Sequence, residues 1–98
     1  MVEQGDIITI RDIRYPMLVV SKDTYNKTGH LIACPILPPQ DGKGVCVSIE
    51  VPTISGYVMC DNPRQFDWSA RGVFIKGHAP LAIILTVLDM IQSLFEFI

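Results

Sequence analysis

The residues here that can do chemistry are four arginines, one aspartate and a few aromatics. Arg11 and Arg14 are the cations of the short polar stretch Arg11 to Tyr15, and Arg64 and Arg71 bracket the segment QFDWSA. A guanidinium is a planar fork that binds phosphate oxygens two at a time, or pairs with a carboxylate on the surface. For Arg71 the spacing favours a pair with Asp67, four residues earlier. Asp61 reads two ways, as an acid or base in a site or as a turn residue bonding backbone amides ahead of Asn62-Pro63. Tyr15, Tyr57 and Trp68 have faces on which a base can stack, worth about 1–3 kcal/mol. Trp68, between Phe66 and the last strand, reads better as core. His30 and His78 are general acids by type, but their positions suit the start of a strand and the approach to a helix.

Composition sets limits on this chemistry. The formal charge over 98 residues is −2, so no global basic field marks the chain for nucleic acid. Any phosphate contact must come from a local cluster, and Arg11, Arg14 and Arg64 are its natural members. Cys34, Cys46 and Cys60 each sit in an apolar run, without CxxC spacing, as buried free thiols do. They suit a reducing cytoplasm. The two histidines are far apart, so neither a metal site nor a cofactor is expected. The polar N-terminus after Val2 shows no signal peptide.

The elements that must position these residues read as mostly β, in one domain over residues 1–98. Ile7 to Ile10 predicts a strand and Arg11 to Tyr15 a turn. Met17 to Val20, apolar throughout, predicts a central strand buried on both faces. Ser21 to Gly29 is turn-rich. Further strands are expected over Leu31 to Leu37, Val45 to Val51, Gly56 to Cys60 and Val73 to Lys76, with a loop from Pro38 to Gly44 and a short helical turn over Phe66 to Arg71. Pro80 opens a terminal helix running toward Ile98, apolar nearly all round. Asp89, Gln92, Ser93 and Glu96 interrupt it, so it reads as covered by protein and not by lipid. A chain this short offers little to cover a second apolar face, which favours an interface with another subunit or a partner. The sum is a compact antiparallel barrel with a C-terminal helix.

Three motifs in order carry a resemblance. Gly5-Asp6-Ile7-Ile8 opens the chain. PMLVVS from Pro16 is followed by Tyr25-Asn26 and Thr28-Gly29. Cys60-Asp61-Asn62-Pro63-Arg64 is followed by DWSARG from Asp67. Together they resemble the MazF/PemK/Kid family of RNA-cleaving toxins, nearest its Kid/PemK branch. The resemblance implies an SH3-like barrel of the CcdB/Kid type, a homodimer, a cognate antitoxin, and cleavage of single-stranded RNA at chosen sequences. It implies no metal, and a cyclic phosphate formed by attack of the 2′-hydroxyl. Arg14 and Asp61 are the catalytic candidates it leaves, with Arg11, Tyr15, Arg64 and Arg71 as RNA contacts.

The chain departs from the family pattern in four places. Tyr15 stands where the family has an arginine before the proline of the second strand, with Arg14 one residue earlier. In a strand that slip turns a side chain to the other face. Leu37 replaces a Thr or Ser, Met59 replaces the Kid-branch arginine, and the first loop is short. A family member reduced to binding an antitoxin or RNA is therefore an alternative. A gyrase-directed toxin like CcdB is a further one, suggested by the apolar end Leu94-Phe95-Glu96-Phe97-Ile98.

Overall fold

The computed structural model describes residues 1–38 and 44–95. Its seven strands are β1 (Asp6–Ile10), β2 (Met17–Val19), β3 (His30–Leu37), β4 (Cys46–Val51), β5 (Ile54–Met59), β6 (Arg64–Asp67) and β7 (Val73–His78), with helices α1 (Asp23–Asn26) and α2 (Leu81–Ser93). Every strand pairing is antiparallel. The order across the sheet is β4-β5-β3-β2-β1-β7, and β6 pairs with β3 alongside β5. The sheet curls into a half-barrel with the C-terminal helix against it, as the sequence leads one to expect of a mainly β chain.

The all-apolar run of β2 has a direct cause. Leu18 points into one core with Ile7, Cys34 and Ile36, on the side where α2 inserts Ile84 and Val87. Met17 and Val19 point into a second core with Ile8, Ile10, Leu31 and Phe66. Both faces of the strand are thus buried, and period-two alternation disappears from its sequence. Gly5 shows how closely α2 approaches. Its φ is +94°, and a Cβ there would collide with Cδ1 of Ile84 and press on the His78 ring.

The segment Ser21 to Gly29 holds one helical turn, α1, locked by Asn26. This side chain is fully buried, with its Nδ2 donating to the Ser21 carbonyl at 3.0 Å and its Oδ1 accepting from the Ser21 hydroxyl. Trp68 donates its indole N–H to the Asn26 carbonyl at 2.9 Å. The Tyr25-Asn26 motif is therefore a structural clasp between β2, β3 and the chain after β6.

Several expectations need correction. Phe66 to Arg71 is not a helical turn throughout: Phe66 and Asp67 pair with Leu31 and His30, so β6 claims its first two residues. Only the residues after Asp67 turn, because its Oδ1 accepts from the Ser69 hydroxyl at 2.6 Å and the Ala70 amide at 3.2 Å. Those bonds occupy Asp67, and the Arg71 guanidinium instead lies 5.5 Å from the centroid of the Phe66 ring. Strand β5 begins at Ile54 and β7 runs on to His78, which pairs with Asp6 and accordingly ends a strand. Pro80 is the residue capping α2, one position before its first turn. Cys34 and Cys60 are buried, whereas Cys46 is only half-buried. The loop expected over Pro38 to Gly44 falls mostly, and the end Glu96-Phe97-Ile98 entirely, outside the described residues. Among the described residues no helix is long and apolar enough to cross a membrane.

Candidate functional site

The turn from β1 to β2 and the strand β6 face one another across a cavity of about 450 Å³. Arg14 and Tyr15 reach it from the turn, Arg64 from the start of β6, and Arg71 from the segment entering β7. Ile13 and Phe66 supply apolar wall between them. The local folding explains the convergence. Ile13 donates to the Ile10 carbonyl at 3.0 Å and closes the turn, while Arg64 is fixed opposite Ala33 by the β3–β6 register. Arg64 makes a long hydrogen bond of 3.4 Å to the Tyr15 hydroxyl.

Electrostatics gives the cavity its character. All three guanidinium groups are exposed, and none has a carboxylate within 4 Å among the described residues, whose one ion pair joins His78 to Asp6 at 3.0 Å. Three arginines against one aspartate leave the hollow net positive, and a phosphate offers the anionic, multidentate oxygens that a planar guanidinium fork favours.

Asp12 also lines this cavity, a residue that sequence reasoning passed over. It is the one described non-glycine residue with positive φ, at +71°. Aspartate tolerates the left-handed region better than most residues, but the conformation still stores strain that the surrounding turn must hold. The only signal in the sequence was its place between the two arginines of the turn.

The other candidates lie apart. The Arg11 guanidinium packs over Gly72, where its Nε would sit 2.9 Å from an added Cβ, and its backbone amide donates to the Gly72 carbonyl at 2.8 Å. It stands beside the cavity wall next to Arg71. Asp61 does not line the cavity. It sits in the turn after β5, its Oδ2 3.3 Å from the position of a Cβ on Gly44. Burial above all, then the charge of Cys60 and last that of Asp61, push the Cys34 thiol up to about 12. Tyr57 pairs with Leu37 and Ser48 in the sheet. His30 begins β3 opposite Asp67, whose carboxyl is held below the ordinary carboxylate range, first by the Ser69 hydroxyl. Among the described residues no group of three or more His, Cys, Asp or Glu is placed to hold a metal ion.

A seven-stranded antiparallel half-barrel with a C-terminal helix and an arginine-lined cavity beside its first turn defines the class of protein. A family model described as the PemK-like, MazF-like toxin of type II toxin–antitoxin systems matches residues 3–95, and the chain belongs to that family. It is similar to MazF in a MazE–MazF crystal structure from Deinococcus radiodurans, with a TM-score of 0.85 and 29% identity over 95% of this chain and 94% of that one. MazF alone from the same organism matches with a TM-score of 0.83 and 27% identity, over 95% and 94% of the two chains. An endoribonuclease in complex with its cognate antitoxin, from a Mycobacterial species, shares the fold, with a TM-score of 0.80 at 16% identity and 100% of both chains covered. No curated protein matches the chain. The family model takes in PemK-like and MazF-like members alike, and so does not single out the Kid/PemK branch.

Proposed function

We propose that this chain is the toxin of a type II toxin–antitoxin pair and an endoribonuclease that cuts single-stranded RNA at selected sequences without a metal ion. One observation carries the reading: Arg14, Arg64 and Arg71, none with a carboxylate partner among the described residues, converge on a single cavity with Tyr15 and Asp12. In the reaction the 2′-oxygen attacks phosphorus, its bond to phosphorus forms, and the bond from phosphorus to the 5′-oxygen breaks. The 2′-hydroxyl loses a proton and the 5′-oxygen gains one. Negative charge builds on the phosphorane between those events, and guanidinium groups already gathered around the phosphate are worth most there. They supply the positive charge that a metal ion supplies in other nucleases. Tyr15 offers a face or a hydroxyl to the nucleotide.

The acid–base duty that the resemblance gives to Asp61 falls in this reading to Asp12, which lines the cavity with the arginines. Asp12→Asn is expected to lower the rate of RNA cleavage in EDTA by about 100-fold or more, within the usual reach of acid–base catalysis. Asp61→Asn is expected to lower it by less than about 5-fold, an effect too small for a proton-transfer group. Mass spectrometry of the fragments is expected to find 2′,3′-cyclic phosphate ends. Full activity in Asp12→Asn with loss in Asp61→Asn would return the role to Asp61.

A second reading has its own observation. Leu37 offers no hydroxyl at the end of β3, and Tyr15 and Met59 replace two arginines, so the chain binds RNA or antitoxin without turnover. Binding without fragments at high protein concentration would establish it. Under either reading the partner is a cognate antitoxin, the site of action is the cytoplasm, and the toxin is a homodimer. Support for association comes from α2, where Leu81 and Leu85 stand 69% and 57% exposed.

A further inference from the structure

We infer that the outer face of β7 carries a second nucleotide site, continuous with the arginine cavity, where Phe74 stacks on a base and Lys76 holds the adjoining phosphate. The inference rests on the RNA reading above and extends it to a residue pair outside that cavity. Arg14 is the hinge of the argument, because it faces two hollows. On its far side lies a cleft of about 330 Å³, walled by Thr9, Pro16, Thr53, Ile54 and Lys76. Two cations and two hydroxyls line this cleft, and no carboxylate among the described residues does. That is the chemistry of a phosphate-tracking surface.

The aromatic partner stands at its edge. Phe74 is opposite Thr9 in the β1–β7 register, and the Lys76 amino group is 5.8 Å from the Phe74 ring centroid. Lys76 owes its position to a bulge: Ile7 pairs with Gly77 and Ile8 with Ile75, so Lys76 has no opposite number. Bulges re-aim side chains in this way. Phe74 itself is 51% exposed, although β7 runs beside a well-filled core. An exposed ring next to a cation suits a single-stranded nucleotide, because every base has a face to stack and every nucleotide a phosphate to pair. The track ends beyond Lys76. The next hollow shares Lys76 and Thr53 but brings in Glu50, whose charge repels phosphate.

Fluorescence anisotropy with uncleavable 2′-O-methyl RNA tests this, using a randomised 12-mer that can fill both sites and a randomised 4-mer that fills the arginine cavity. Phe74→Ala is expected to weaken 12-mer binding by about 5- to 150-fold, the stacking contribution converted at 1.36 kcal/mol per decade. It should leave 4-mer binding within about twofold, and Phe74→Trp should restore the 12-mer. Lys76→Gln should reduce the salt slope of 12-mer binding by about 0.7, one phosphate contact. If Phe74→Ala leaves both affinities unchanged while wild type binds and cleaves RNA, this site is overturned and the nuclease reading survives. An equal loss on both lengths, or a loss accompanied by a change in sedimenting mass, overturns it as well and makes Phe74 a structural or subunit contact. Failure of wild type to bind either oligonucleotide removes both readings.

Discussion

In the proposed reaction, Arg14 is the residue on which the chemistry turns. The sequence places it one position before the family's arginine, and in a regular strand that slip would aim it away from its neighbours. The structure removes the difficulty, because residues 11–16 form a turn and not a strand, and Arg14 faces the same cavity as Tyr15 and Arg64. Arg64 and Arg71 were legible as phosphate-binding types, but their meeting was not, since it depends on β6 pairing with β3. Asp12 was illegible for a similar reason: its positive φ and its outlook follow from how the turn closes. At this scale Arg64→Gln is predicted to act on the chemical step and not merely on affinity. Single-turnover rates at saturating RNA should fall by about 100-fold. A change confined to KM would make Arg64 a simple binding contact.

At the scale of elements, the strands with two cores were read most easily. Met17 to Val20 is apolar because each alternate side chain finds a different core, and that leaves a clear mark in sequence. The segment FDWSAR carried no such mark. Its composition suits a helical turn, but its first two residues are claimed by pairing with β3, a partner far away in the chain. The element whose worth is most testable is the Asn26 clasp. Asn26→Ala would leave the half-buried Ser21 carbonyl without its Asn26 donor, while the Ser21 hydroxyl keeps its bonds with Ile32, at a cost of about 1–3 kcal/mol. Urea unfolding monitored by Trp68 fluorescence checks this. An unchanged midpoint would show that the clasp adds nothing to stability.

Taken whole, the molecule is a half-barrel with one apolar core against α2 and a second core on the other face of β2, where Phe66 also lines the arginine cavity. Two of its thiols, Cys34 and Cys60, belong to the interior. Burial above all pushes Cys34 up to about 12 and Cys60 up to about 11, from the ordinary 9.0. These groups are neutral in the folded protein and ionise more readily once unfolded. Their contribution to stability is therefore intact below pH 9.0 and declines as pH rises toward 11–12. Thermal unfolding should accordingly shift to lower temperature as pH is raised above 9.0. Iodoacetamide at pH 8 should label native protein at Cys46 only, and all three cysteines after denaturation, as mass spectrometry would show. Rapid native labelling of Cys34 would mean that the core opens readily.

The account depends most on three guanidinium groups acting on one phosphate. Its most direct measurement is cleavage of a long single-stranded RNA in EDTA under single-turnover conditions, by wild type and by Arg14→Gln, Arg71→Gln and the double variant. Wild type is predicted to release cyclic-phosphate-ended fragments, and each single change to slow the step by about 100- to 1000-fold. Because both groups meet the same phosphorane, the double variant should lose less than the product of the two single losses. Undiminished cleavage by the variants, or intact RNA with wild type, would contradict it.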